Sequence, residues 1–275
     1  MLRQLYLRSS GRIKLGSDNL KWGCIDVDIR EVVKDSLSYP LTNWKSFLIL
    51  GVILTIANLL MLVFTNSFAE SLSLRPDYRL LSIVWIAYFV ADILFLGYLI
   101  KIFKSTVDSE NVLPKFNGWL NIIVDGFKGI IIVIVYYIIP FYILFALVLI
   151  LTRGFNSNDI LELFDLINTL YTIVIIPVIA LALANMAFDE RLLSAFSFGE
   201  ILDDMREIGW SNLLALYLLF GIIYLIIGYL PLGYLLGWIS PFLVTIIKSM
   251  IIIPYLYIFA TRAVSLIYRS SVVDT

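Results

Sequence analysis

The chain has no histidine, a single cysteine and few charged residues, 15% in all. The lack of histidine excludes an imidazole metal ligand and any histidine-based catalytic dyad. Cys24 stands alone, which excludes an intrachain disulfide and a Cys/His metal site. Neither GxxxxGK[ST] nor a strand-borne GxGxxG occurs, and HExxH and GxSxG are absent too. Adjacent Asp203 and Asp204 point in different directions on a helix and do not make a cation site. A net charge of −1 gives no general attraction to nucleic acid. No catalytic residue, metal or cofactor is expected. The opening MLRQLYLRSSGRIKLGSDNLKWG lacks the continuous apolar core of a signal peptide, so the first span is expected to stay as an anchor.

What is abundant is apolar: 61% of the 275 residues are hydrophobic, and the mean hydropathy is +0.95. Soluble domains lie near 45–50% apolar, so hydrocarbon is the expected solvent. A crossing needs about 20 apolar residues at about 1.5 Å each. Six stretches qualify, at about 46–65, 80–103, 128–151, 166–188, 212–230 and 239–263. The expected fold is an all-α membrane protein of six transmembrane helices, occupying residues 27–270. A flexible tail, 1–26, precedes this domain, and a short tail, 271–275, follows it. Pro140, Pro177 and Pro254 fall within spans, where neighbouring helices can serve the freed carbonyls.

With the N-terminus inside, sixteen Lys and Arg fall on inner segments and only Arg75, Arg79 and Arg153 outside, with Lys248 within a span. This bias predicts a cell-membrane protein with both termini in the cytoplasm. A repeat lies beneath it. REVVKDSLSYPLTNW, PKFNGWLNIIVDGFK and FSFGEILDDMREIGW each precede an outward span, and each carries a tryptophan: Trp44, Trp119 or Trp210. The expectation is three helical hairpins, each preceded by a cytoplasmic amphipathic helix, with the tryptophans as interface anchors. Membrane lipids are the expected surroundings, and the acidic connector 189–207 offers a surface to another protein. Oligomeric state is not legible.

The segments GYLIKIFKSTV, VLPKFNGWLNIIVDGFKG and SFGEILDDMREIGW resemble the prokaryotic membrane family called domain of unknown function 4013, well populated in methanogenic archaea. The Leu113-Pro114 … Trp119 … Asp125-Gly126 pattern is the specific part of the likeness, which extends over roughly 27–270. The resemblance implies an archaeal integral membrane protein and transfers no catalytic residue.

Asp92 and Lys248 lie near the middles of spans 2 and 6. A centred charge costs about 2.5–3.5 kcal/mol on insertion scales, so such residues face the bundle interior or a partner. Their offsets from Lys101 and Arg262 put them about 13 and 21 Å from the inner boundary at 1.5 Å per residue, a difference a lysine stem can largely cover. They form a candidate intramembrane polar pair. Asn58, Asn168, Asn185, Thr172 and Thr245 are expected to bond between helices. Two readings follow. The first is a non-enzymatic membrane module that binds a partner. The alternative is a permease for a small or amphiphilic solute, with Asp92 and Lys248 at its site.

Overall fold

The computed structural model describes residues 29–70, 78–151, 157–223, 225–226 and 240–273. The expected tail 1–26 and the outer arginines Arg75 and Arg153 lie outside the described residues. Within them every regular element is helical. Helix α1, Ile29–Ser38, passes through a 3-10 turn at Tyr39–Asn43 into α2, Trp44–Glu70; α3 is Tyr78–Val107. Helix α4, Trp119–Val133, continues through a π turn at Ile134–Ile138 into α5, Ile139–Leu151, and α6 is Ser157–Asp189. A 3-10 turn at Leu192–Phe196 leads to α7, Phe198–Ile208, and α8, Trp210–Ile223. Helix α9, Pro241–Ile247, a π turn at Lys248–Ile252 and α10, Ile253–Val273, complete the chain, so the last helix continues past residue 271.

Among the described residues five helical stretches are long and apolar enough to cross a membrane: Arg30–Phe64, Ser82–Val107, Trp119–Ile150, Asp159–Asp189 and Pro241–Ser270. A sixth is counted if α7 and α8, which meet at 84°, are taken as one broken span. The protein is an all-α multi-pass membrane protein. The segments before the three outward spans differ. A helix stands before α2 and before α8. Before α4 there is none: the chain from Val112 to Gly118 is irregular, and the helix opens at Trp119 itself. Pro114 and Gly118, the latter at φ 70°, account for the break. Of the stretch expected as the second amphipathic helix, 114–128, the part from Trp119 is helical and runs on into the span without a break, while 114–118 is irregular.

The π turns at Ile134–Ile138 and Lys248–Ile252 share one cause. Each is followed by Ile-Pro, at Pro140 and at Pro254. Proline cannot donate to the carbonyl four residues back, and its ring crowds that carbonyl, so the helix widens there. The carbonyl that Pro140 cannot serve is Tyr136's, and the Tyr171 hydroxyl of α6 donates to it at 2.5 Å. The carbonyl that Pro254 cannot serve is Met250's, which lies against Gly51 of α2.

Helices α3 and α4 pack with backbones almost touching. A Cβ on Gly97 would lie 1.9 Å from the Ile122 carbonyl oxygen, and one on Gly126 would lie 2.0 Å from that of Ile93. Glycine on both helices is what allows this approach. The two larger buried clusters lie towards one end of the bundle, and a smaller one, Ile252 with Leu256, lies further along the last span. One contains Phe103, Tyr136, Leu181, Met186, Met205 and Ile267, and another contains Tyr39, Leu50, Tyr98, Leu113, Ile122 and Ile258. Away from that end, Tyr142, Leu147 and Ile150 on α5 and Leu161, Leu170 and Val174 on α6 are exposed. Only 17% of the most apolar window is buried in these two spans, against 39% for α3. The second hairpin thus depends most on surrounding lipid to cover its apolar surface.

Candidate functional site at the charged end of the bundle

Helix α3 ends in a Schellman turn. Glu110 N–H donates to the Ser105 carbonyl and Ser109 N–H to that of Thr106, with Ser109 at φ 65° in the conformation glycine usually supplies. The loop that follows has few backbone partners of its own, so side chains serve it. Asn43 donates to the Leu113 carbonyl at 3.1 Å, and Leu113 N–H donates to Thr42 Oγ1 at 2.9 Å. Phe116 N–H donates to Ser46 Oγ at 3.0 Å, and Tyr98 donates to the Pro114 carbonyl at 2.8 Å. Lys101 Nζ spends three bonds on it, at 2.7 Å to the Lys115 carbonyl and at 2.8 Å each to the Asn117 carbonyl and Oδ1. With Leu113, Pro114 and Phe116 buried, the loop is a fixed wall.

Arg262 of α10 is the most voluminous fully buried side chain among the described residues, 1% exposed. Its Nε donates to Asp35 Oδ2 of α1 at 2.9 Å. Nη1 donates to Thr106 Oγ1 at 3.2 Å and to the Glu110 carbonyl at 2.7 Å, and Nη2 donates to Asn111 Oδ1 at 3.1 Å. Its guanidinium carbon stands 4.4 Å from the centre of the Tyr39 ring. One cation therefore ties the first described helix, the end of α3 and the last helix together, using the fork and flat face that lysine lacks.

Beside this lies a second group of charges, around a cavity of about 550 Å³. The ends of α3 and α6 and the start of α4 wall it. Lys101, Lys104, Asn117, Asn121, Asp125 and Lys128 line it, with Glu190, the residue that follows α6. Lys104 Nζ contacts Asp125 Oδ2 at 2.6 Å, while Lys128 Nζ stands 3.5 Å from Asp125 Oδ1. The lysine side chains are 28% and 29% exposed and Asp125 is 11% exposed. Helix α4 begins here with no side-chain cap at Gly118.

The family model described as "Protein of unknown function (DUF4013)" matches residues 80–236, more than half of the chain. The chain belongs to this family. The matched span is shorter than the 27–270 of the sequence resemblance, and it runs from α3 past α8. The lysine cavity and the whole Leu113-Pro114 … Trp119 … Asp125-Gly126 pattern lie inside it; Asp35 and Arg262 lie outside. No curated protein and no solved structure matches the chain.

The structure gives that DUF4013 pattern a physical content. Leu113 is buried, Pro114 receives Tyr98, Trp119 opens α4 edge-on to Phe116 at 4.9 Å, Asp125 holds two lysines, and Gly126 meets the α3 backbone. Trp44 and Trp119 are exposed; the side chain of Trp210 lies outside the described residues. Asp92 is half-buried in α3, and Lys248 is half-buried in the π turn that packs on α2. Among the described residues no ion pair or side-chain hydrogen bond joins the two.

In the acidic connector, Asp189 accepts from Ser194 at 2.7 Å, Asp204 is buried, and Asp203 and Arg206 pair at 3.5 Å in the open. Asn58, Asn168, Thr172 and Asn185 bond between helices as expected, while among the described residues the Thr245 hydroxyl makes no such bond. Tyr137 donates to Asn168 Oδ1 at 2.7 Å, with Thr172 Oγ1 at 2.8 Å. Asn185 accepts from Tyr268 at 3.3 Å. No group of three or more His, Cys, Asp or Glu among the described residues is placed to hold a metal ion.

Sequence reasoning treated Lys101, Lys104, Lys128 and Arg262 as topogenic flanks and gave none of them a contact. The available signals were Asp125 and Lys128 at i, i+3 within a family pattern, and an arginine set among the small residues of FATRAVS.

Proposed function

We propose that this DUF4013 protein is a non-enzymatic membrane module of six crossings. It sits in the cell membrane with both termini in the cytoplasm and presents its charged end to a partner protein. The single observation that carries this reading is the Arg262 cluster, because it spends buried charge on fixing α1, the 106–111 segment and α10 in one arrangement. A rigid cytoplasmic face is what a docking subunit needs, since preformed surfaces lose less entropy on association. The same face carries α7, whose Ile201, Met205 and Ile208 are buried while Asp203, Arg206 and Glu207 face outward. That makes segment 189–207 the surface a basic partner would meet. The distribution of Lys and Arg supports the orientation.

The test is accessibility at the midplane. In a Cys24→Ser background, cysteines are placed at Ala91 and Ile247, beside Asp92 and Lys248, and exposed to a membrane-impermeant maleimide. The module predicts no labelling at either position. Labelling at both would mean water reaches the midplane and would favour a permease.

A further inference from the structure

We propose that the cavity between the ends of α3 and α6 and the start of α4 binds a phosphate-bearing anion, with the headgroup of an anionic lipid as its occupant. Three lysines and two carboxylates line the cavity, an excess of one positive charge. The donors still open to a ligand are those of Lys104 and Lys128, because all three of Lys101 are already bonded to the loop. Asp125 makes a close contact with Lys104 only; Lys128 stands off at 3.5 Å, so most of its donors are uncommitted by any bond among the described residues. The uncapped start of α4 at Gly118 adds backbone N–H groups and the positive end of a helix dipole beside them. Asn117 and Asn121 supply neutral amide donors. A phosphate oxygen would give the donors that Asp125 leaves unmatched a negatively charged acceptor.

Position selects the lipid over a free anion. The helical stretch Trp119–Ile150 has 32 residues, about 48 Å at 1.5 Å each, against a hydrocarbon layer of about 30 Å. Its first turns therefore stand in the headgroup layer. From the cavity wall at Val124 an exposed apolar stripe runs along α4 through Leu120, Val124, Phe127 and Ile131, at i, i+4, i+7 and i+11. An acyl chain laid on that stripe puts its phosphate at the lysines. Basic pockets between membrane helices hold anionic headgroups on the same physics.

The experiment uses the full chain purified in mild detergent with phosphatidylcholine. Phosphatidylglycerol is titrated in and retained lipid is read by native mass spectrometry. Free glycerol phosphate is the second arm, read by melting temperature. Wild type is expected to retain one phosphatidylglycerol. Lys128→Gln, which leaves the Lys104–Asp125 pair intact, is expected to bind it about tenfold more weakly, and Lys128→Arg is expected to keep it. Asn121→Leu serves as a second variant should Lys128→Gln fail to fold, with the same direction of loss. A melting shift with glycerol phosphate that depends on Lys128, with no retained lipid, would keep the phosphate site and overturn the lipid as its occupant. Equal retention by wild type and both loss variants, with no Lys128-dependent shift, would overturn the site. The midplane labelling above reads neither arm, so the two readings fail separately.

Discussion

Two charge clusters stand side by side at one end of this bundle, and they are built to opposite specifications. Around Arg262 all three guanidinium nitrogens have acceptors, the ring face is covered by Tyr39, and the side chain is 1% exposed. Around Lys104 and Lys128 the donors outnumber the acceptors, the side chains are over a quarter exposed, and a cavity of about 550 Å³ adjoins them. A saturated buried cation has little left to offer a ligand and serves to hold segments in place. An undersatisfied cation beside a void can bind one. The number of charges at a membrane surface therefore says less than how many of their bonds are already made.

The comparison is broken most forcefully at Arg262. Arg262→Met is expected to cost about 3–5 kcal/mol, the usual loss when one member of a buried, bonded charge group is removed. The measure is the melting temperature in detergent. Arg262→Lys should recover only part, since an ammonium cannot reach Asp35, the Glu110 carbonyl and Asn111 together. Next comes the seam that carries the cavity wall. Gly97→Ala drives a methyl into the Ile122 carbonyl and should cost about 1–3 kcal/mol by overpacking. It should also weaken phosphatidylglycerol retention, by moving α4 away from Lys104. Tyr171→Phe removes the hydroxyl that serves Tyr136's carbonyl below Pro140. It should cost about 0.5–1 kcal/mol, the range of single polar contacts in membranes, and leave lipid retention unchanged. Smallest is Lys128→Gln, expected within about 0.5 kcal/mol of wild type in phosphatidylcholine, as for a part-exposed ion pair. A large loss there would make Lys128 a structural residue like Arg262 and erase the contrast.

The helices were legible because hydrocarbon imposes a length and a composition: the apolar stretches from Ser46, Leu80, Lys128 and Leu166 lie within long helices, as does the sixth from Pro241 onward. The start of the second amphipathic stretch was not, because Pro114 and Gly118 deny it regular backbone until Trp119. Neither charge cluster could be assembled from sequence. Arg262 and Asp35 are 227 residues apart, and nothing in a hydropathy pattern says that a flanking arginine turns inward. Asp92 and Lys248 stood out for the opposite reason. A charge within an apolar run is conspicuous, yet the described contacts that organise the bundle lie elsewhere. The paired prolines were visible, while what stands beside each freed carbonyl, the Tyr171 hydroxyl or the bare backbone of Gly51, depends on tertiary packing.

The most direct test of the closed charged end is a double-mutant cycle on Asp35 and Arg262, read by thermal melting of the full chain in phosphatidylcholine nanodiscs. Asp35→Ala, Arg262→Met and the double variant are compared with wild type. The carboxylate side chain is 41% exposed, so a coupling of about 1–2 kcal/mol is expected, with the double variant no less stable than Arg262→Met alone. Losses that simply add would contradict the clasp, as would an Arg262→Met protein that melts with wild type.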